Sequence, residues 1–289
     1  MADVEELRDS DFGTLYVCIG GADLLNYPSE LGNMPGVGSD GPHMVYNRSV
    51  DRQYAETVGF GADGVNISFN RGAPLILFEE PFVRLFEERY NEDSRSLPET
   101  DERIQALHVE IMTSFMREVR SMLDEEQARR GDGERLEISA FVYSNEADNL
   151  QFGFDVRGWV GAGLLDAVSP YMGAGGAKVR SLDVGFFHEV CGAAGVPWRP
   201  TVVAWQVPSL DDMMRKVVEW YDAGASGVTF WDGNSLSTRT DAWAVVSRLG
   251  HVEELRRRAD EGAPVATVYR LHRIGEFIMD GRYSPKWGF

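Results

Sequence analysis

The residues of this 289-residue chain that could do chemistry stand where apolar runs give way to polar text. The run at 64–69 leads into Ser68, Asn70 and Arg71, with Glu79 and Glu80 shortly after. The run at 136–142 leads into Tyr143, Asn145, Glu146 and Asp148, and the run at 164–169 into Tyr171. Trp205 and Gln206 close the run at 201–205, and Trp231, Asp232 and Asn234 close the run at 227–231. Carboxylates, amides and flat aromatics on shared ground match the demands of a sugar. Carboxylates serve acid/base work, amides hold hydroxyls, and rings stack on C–H faces. Glu146 and Asp232 are the expected catalytic pair. Arg71 and Asn145 would hold hydroxyls, and Trp205 and Trp231 would be stacking platforms. Asn70, Tyr143, Tyr171, Gln206 and Asn234 complete the expected substrate-binding set. With such a pair, a carboxyl separation of ~5–5.5 Å gives retention of anomeric configuration, and ~6.5–9.5 Å gives inversion.

Each of these residues also has a plain structural reading. Glu146 fits a solvated loop equally well, and Asp232 fits the cap of a following helix. Glu79 and Glu80 precede Pro81 and a helical pattern, where acids favour the positive helix end, and that reading is the stronger one. Arg71 can be an ion-pair partner, and Trp205 and Trp231 can fill a core. Other chemistries have less support. GAGGAK (173–178) follows a strand but lacks the GxxxxGK[ST] spacing of a phosphate loop. The histidines at 43, 108, 188, 251 and 272 show no paired metal spacing, and Cys18 and Cys191 lack CxxC partners. No metal and no cofactor is expected. Two Asn-x-Ser triplets, at Asn47 and Asn66, carry no weight without a signal peptide.

The elements that must position these residues can be read from periodicity. GADGVNISFNRG (61–72), GLLDAVSPYMG (163–173) and GASGVTFWDGN (224–234) each follow a helix-like segment and pass from small residues to an apolar run. LEISAFVYSNE (136–146), WRPTVVAWQVP (198–208) and TLYVCIGG (14–21) are further strand candidates. Between Asp101 and Arg130, the residues Ile104, Leu107, Ile111, Met112, Phe115, Val119 and Leu123 share one helical face. Ser209 and Asp212 resemble a capping box, followed by Met213, Met214, Val217, Val218 and Tyr221 at helical spacing. Shorter helices are predicted over 155–160, 182–194 and 241–249. This alternation predicts an α/β fold with parallel strands and crossover helices, in a barrel or a doubly wound sheet. In a parallel barrel the chemistry gathers where the strands end.

Composition narrows the function classes. Twenty-eight Lys and Arg against 46 Asp and Glu give a net charge of −18, which disfavours a nucleic-acid partner because polyanions are held by basic side chains. Hydrophobic residues make up 43%, enough for a large core. No apolar run approaches the roughly 18 residues of a membrane span, and the acidic MADVEELRDSDFG start is unlike a secretory or transit signal. The expectation is a cytoplasmic protein with a carbohydrate substrate and neither nucleic-acid nor membrane partners. No linker divides it, so 1–289 reads as a single domain with a C-terminal extension from about 263.

The runs GADGVNISFNRGAPLILFEEPFVRLFEERY, FDVRGWVGAGLLDAVSPYM, DAGASGVTFWD and DGRYSPKWG resemble bacterial glycosyl-hydrolase-like proteins of the (β/α)8-barrel class, over roughly 12–35 and 51–289. The resemblance implies a TIM-type (β/α) barrel and a hydrolytic role on carbohydrate. Two departures stand out. Related sugar hydrolases often carry an acid where this chain has Ser68. The text between 21 and 51 is also short of one or two strand–helix units, so about six to seven strands are found and the barrel is expected to be incomplete. An open barrel would expose strand edges, and self-association into a homo-oligomer is one way to cover them. Three readings stay open: a glycoside hydrolase, a carbohydrate-binding barrel without catalysis, and, with GAGGAK alone behind it, a barrel enzyme for a phosphorylated metabolite.

Overall fold

A computed structural model of the protein describes Asp11, 13–14, 20–21, 24–25, 61–70, 75–76, 78–98, 100–172, 181–203, 210–231, 245–261, 271–274 and 277–280. The strands are β1 (Gly20–Gly21), β2 (Leu24–Leu25), β3 (Gly64–Ser68), β4 (Glu137–Tyr143), β5 (Ala167–Tyr171), β6 (Thr201–Val203), β7 (Thr229–Trp231), β8 (Leu271–Ile274) and β9 (Phe277–Asp280). The helices are α1 (Glu80–Tyr90), α2 (Glu102–Arg130), α3 (Glu146–Gln151), α4 (Val156–Gly161), α5 (Val184–Ala194), α6 (Leu210–Asp222) and α7 (Val252–Glu261).

The protein is a mixed α/β chain with short parallel strands. β3, β4 and β5 form a three-stranded sheet in that order, and β6 and β7 pair in parallel with Thr201 opposite Thr229. A parallel bridge joins Val168 of β5 to Trp198, just before β6. Among the described residues the strands make four separate sheets and no closed ring. Of the expected strand at 14–21, residues 15–19 lie outside the described residues, and Gly20–Gly21 pairs antiparallel with Leu24–Leu25. Two-residue strands joined by so short a link can only reverse direction, since a parallel connection needs a crossover of a dozen residues or more. The C-terminal extension, read from the sequence without strands, holds a second antiparallel pair, β8 with β9, in which Ile274 faces Phe277.

The chain divides into two compact units. One comprises 15–140 and 147–167; the other comprises 1–14, 141–146 and 168–289. The first is organised by α2, 29 residues and about 43 Å long at 1.5 Å per residue. Asp101 caps its start by accepting from Arg103 N, and Gly131, at φ +70°, ends it in the left-handed region that suits glycine. The predicted face is the buried one: Ile104, Leu107, Met112, Val119 and Leu123 are buried, and Ile111 and Phe115 are half-buried. α1 starts with Glu79 and Glu80 ahead of Pro81, as the helix-end argument expects, and turns Phe82 and Phe86 against Ile104 and Leu107. A tight approach fixes the far side of α2. Gly153, at φ +82°, lies where a Cβ would come within 2.7 Å of the His108 carbonyl carbon.

The second unit pairs β6 with β7 and packs α6 against α7. Asp183 caps α5 by accepting from Phe186 N, and Phe186, Phe187 and Val190 are buried. α6 buries Met213, Met214 and Val217 as read from the sequence, but its fourth buried residue is Trp220, while the expected Val218 and Tyr221 are half-buried. Ser209 of the expected capping box lies outside the described residues, as do 241–244 of the helix expected over 241–249. No described helix is long and apolar enough to cross a membrane.

Candidate functional site

In the unit built on α2, the two faces of β3 have different characters. Val65, Ile67 and Phe69 are buried on one face, and the Phe69 ring stacks on Phe154 at 4.7 Å and meets Trp159 at 5.4 Å. Trp159 Nε1 donates to Thr113 Oγ1 at 2.9 Å, which ties this aromatic cluster to α2. Period-two alternation puts Asn66 on the opposite face, where its Nδ2 donates to Ser139 Oγ at 2.8 Å. Ser139 Oγ in turn donates to the Val65 carbonyl at 3.4 Å. Just beyond the strand, Asn70 is 1% exposed, and neither its amide nitrogen nor its amide oxygen has a partner among the described residues. Ser68, where related hydrolases often carry an acid, is exposed at the end of β3.

The start of β4 in the same unit carries a charged cluster that the sequence reading missed. Asp166 accepts from Ile138 N at 2.9 Å, from Arg135 Nε at 2.7 Å and from Arg120 Nη1 at 3.3 Å. Arg120 Nη1 also donates to the Leu136 carbonyl at 2.8 Å, and its Nε pairs with Asp124. Arg120 is 7% exposed. A signal existed: Arg120 sits beside Val119 and three residues before Leu123, a charge on an apolar helix face. Such a charge is buried only with partners.

In the other unit, β4 delivers Tyr143, Asn145 and Glu146 at its C-terminal end, and β5 ends at Tyr171. Tyr143 and Tyr171 are buried, at 6% and 4% exposure, while Asn145 and Glu146 are half-buried. Glu146 opens α3 and is not a loop residue at a strand end. Asn145 ahead of Glu146, Ala147 and Asp148 is a helix-start pattern, so this was readable. Ser144 is buried and its carbonyl accepts from Asp183 N at 2.8 Å, which anchors the cap of α5 to the end of β4. Deeper in the unit, three hydroxyls are carried by three strands. Ser169 Oγ and Thr229 Oγ1 lie 3.2 Å apart, and Thr201 is register partner to Thr229. Thr201 Oγ1 is buried with no partner among the described residues.

The remaining predicted site residues divide by where they fall. Trp231 is the last residue of β7, with its backbone paired to Val203. Arg71, Trp205, Gln206, Asp232 and Asn234 lie outside the described residues, as does GAGGAK (173–178). Among the described residues there is no cluster of three or more His, Cys, Asp or Glu placed to hold a metal ion. Burial pushes the Cys191 thiol up to about 12, so at neutral pH it is a protonated core residue and not a nucleophile. His108, on α2, has its ring 5.0 Å from that of Phe82, and burial lowers its proton affinity against a weaker opposing pull from Glu79.

No protein-family model matches this chain, and no curated protein does. Among solved structures, the catalytic domain of psychrophilic chitinase B from Arthrobacter TAD20 is similar at 14% identity, covering 71% of this chain. The chain spans 59% of that domain, and the TM-score of 0.34 is too low for the likeness to say anything of fold or activity.

Proposed function

We propose that the protein is a carbohydrate-directed (β/α) barrel that takes its ligand at the C-terminal ends of its parallel strands. The observation that carries this reading is Asn70. A buried amide with both hydrogen-bonding atoms unpartnered costs free energy unless something pairs with it, and a carboxamide is both donor and acceptor, as a sugar hydroxyl is. Thr201, a second buried polar group without a partner among the described residues, supports the same chemistry with a hydroxyl.

The hydrolytic form of the proposal assigns Glu146 and Asp232 as the carboxylate pair. One would protonate the leaving oxygen and the other attack the anomeric carbon or activate water. Tyr143, Asn145, Tyr171, Arg71, Gln206 and Asn234 would then hold hydroxyls, and Trp205 and Trp231 would stack on the ring. A second form, binding without turnover, is favoured by the exposed Ser68 at the end of β3.

A glycan array followed by calorimetry on the hits, run beside a broad aryl-glycoside panel, tests both. Turnover that falls by a factor of at least about a hundred in Glu146→Gln and in Asp232→Asn selects the hydrolase. Glycan binding with no turnover selects the binding protein. Binding that is unchanged in Asn70→Ala removes Asn70 as its basis. A protein that binds no glycan refutes the proposal.

A further inference from the structure

β5 is tied to the approach to β6 by the parallel Val168–Trp198 bridge, and β6 pairs with β7 with Thr201 opposite Thr229. Successive residues of a strand alternate between its two faces. Val168 and Trp198 mark one face, and the Trp198 ring stacks on Phe187 of α5 at 6.1 Å, so α5 covers that face. Ser169 and Tyr171 stand on the other. Three residues on from the bridge, Tyr171 is level with Thr201. Ser169 Oγ meets Thr229 Oγ1 at 3.2 Å, which places Thr229, and with it Thr201, on the same face. Three hydroxyls therefore share one face, and Thr201 stands at the level of Tyr171, the residue that ends β5.

The three are not equally satisfied. Ser169 and Thr229 bond one another, while Thr201 Oγ1, fully buried, has no partner among the described residues. Neighbouring strands run about 4.8 Å apart, and at that spacing one oxygen set about 2.8 Å from each hydroxyl would bond Thr201 and Thr229 together. A hydroxyl both donates and accepts, so its best match is another neutral hydroxyl and not an ion. We propose that Thr201, backed by the Ser169–Thr229 pair, takes a terminal hydroxyl of a saccharide, so that the site reads the end of a chain and not an internal stretch. The inference rests on the carbohydrate reading above and narrows its substrate class. A group that bonds Thr201 must leave water, since Thr201, Ser169 and Tyr171 are all buried. The last sugar of a chain can be enclosed in that way. An internal sugar is linked on both sides, and both neighbours must run back to solvent.

Calorimetry on the full chain tests this with the tightest-binding oligosaccharide of the glycan array and its monodeoxy analogues, each lacking one hydroxyl. In the wild type, one analogue deoxygenated on a terminal sugar should bind about tenfold more weakly, the size of one buried hydrogen bond. In Thr201→Val that same analogue should bind as well as its parent. Thr201→Ser keeps the hydroxyl and should keep the difference. A position coupled to Thr201 on an internal sugar overturns the chain-end inference and leaves the carbohydrate reading standing, and so does the lack of any coupled position. A crystal structure of the wild-type complex reads the same contact without a variant. Water on Thr201 Oγ1 in place of a sugar oxygen overturns the inference there too. A protein that binds no glycan takes both readings down.

Discussion

Two sets of buried polar groups sit on the strands of this protein, and they are completed differently. The Asp166 carboxylate at the start of β4 and β5 is supplied with a backbone amide and two guanidinium groups, all within 3.3 Å. Asn70 after β3 and Thr201 on β6 are more deeply buried than that carboxylate, and their polar atoms have no partner among the described residues. A polar group that folding has fully paired contributes to stability and has nothing left to offer a ligand. One that folding has left open lowers stability and keeps its bonding capacity for something else. Both sets lie among buried apolar residues, so burial alone does not separate structural polar groups from functional ones. Satisfaction does.

The largest effect should come from breaking the satisfied set. Asp166→Ala takes a carboxylate from Arg120, Arg135 and the Ile138 amide; Arg120 keeps Asp124 and the Leu136 carbonyl and Arg135 is half-exposed, so the cost is about 2 kcal/mol. Urea titration should show a lower midpoint at unchanged slope. A loss within error would mean that the cluster is solvated and the contrast false. The open set should respond with the opposite sign. Asn70→Leu removes an unpaired amide of similar volume and should raise stability by about 1 kcal/mol while weakening any glycan binding about tenfold or more. A drop in midpoint would show that the amide is paired after all. Thr201→Val, isosteric but for the hydroxyl, should be neutral to slightly stabilising, within about 1 kcal/mol.

The sequence made some of this contrast readable. α2 could be read because its apolar residues, from Ile104 to Leu123, keep a 3.6-residue period for more than five turns, longer than chance provides. β4 could be read because both its faces are buried, which leaves a continuous apolar run. Glu79 and Glu80 were read as helix-end acids because Pro81 fixes where the helix begins. Glu146 was read as a strand-end or loop residue, and the helix-start pattern of Asn145 ahead of Glu146, Ala147 and Asp148 was passed over. The β8–β9 pair escaped because its strands are only four residues each, too short for an alternation to stand out. The pairing of Asp166 with Arg120, 46 residues apart, depends on tertiary approach. No local pattern encodes it.

The smallest expected effect bears on the satisfied side, in the α1–α2 core. His108 is half-buried against Phe82, and burial holds its proton affinity below that of an exposed imidazole. The unfolded chain therefore takes up its proton first as the pH falls through about 6.5. Below that point the unfolded state binds more protons than the folded one, so stability is complete above it and is lost progressively on acidification. His108→Gln removes the titration while keeping a polar side chain on the same helix. The melting temperature of the wild type should fall more steeply between pH 7.5 and pH 5.5 than that of the variant. Equal slopes would mean that the imidazole is charged as easily in the folded protein as outside it. The Phe82–His108 contact would then be a solvated edge and not part of the core that α1 and α2 share.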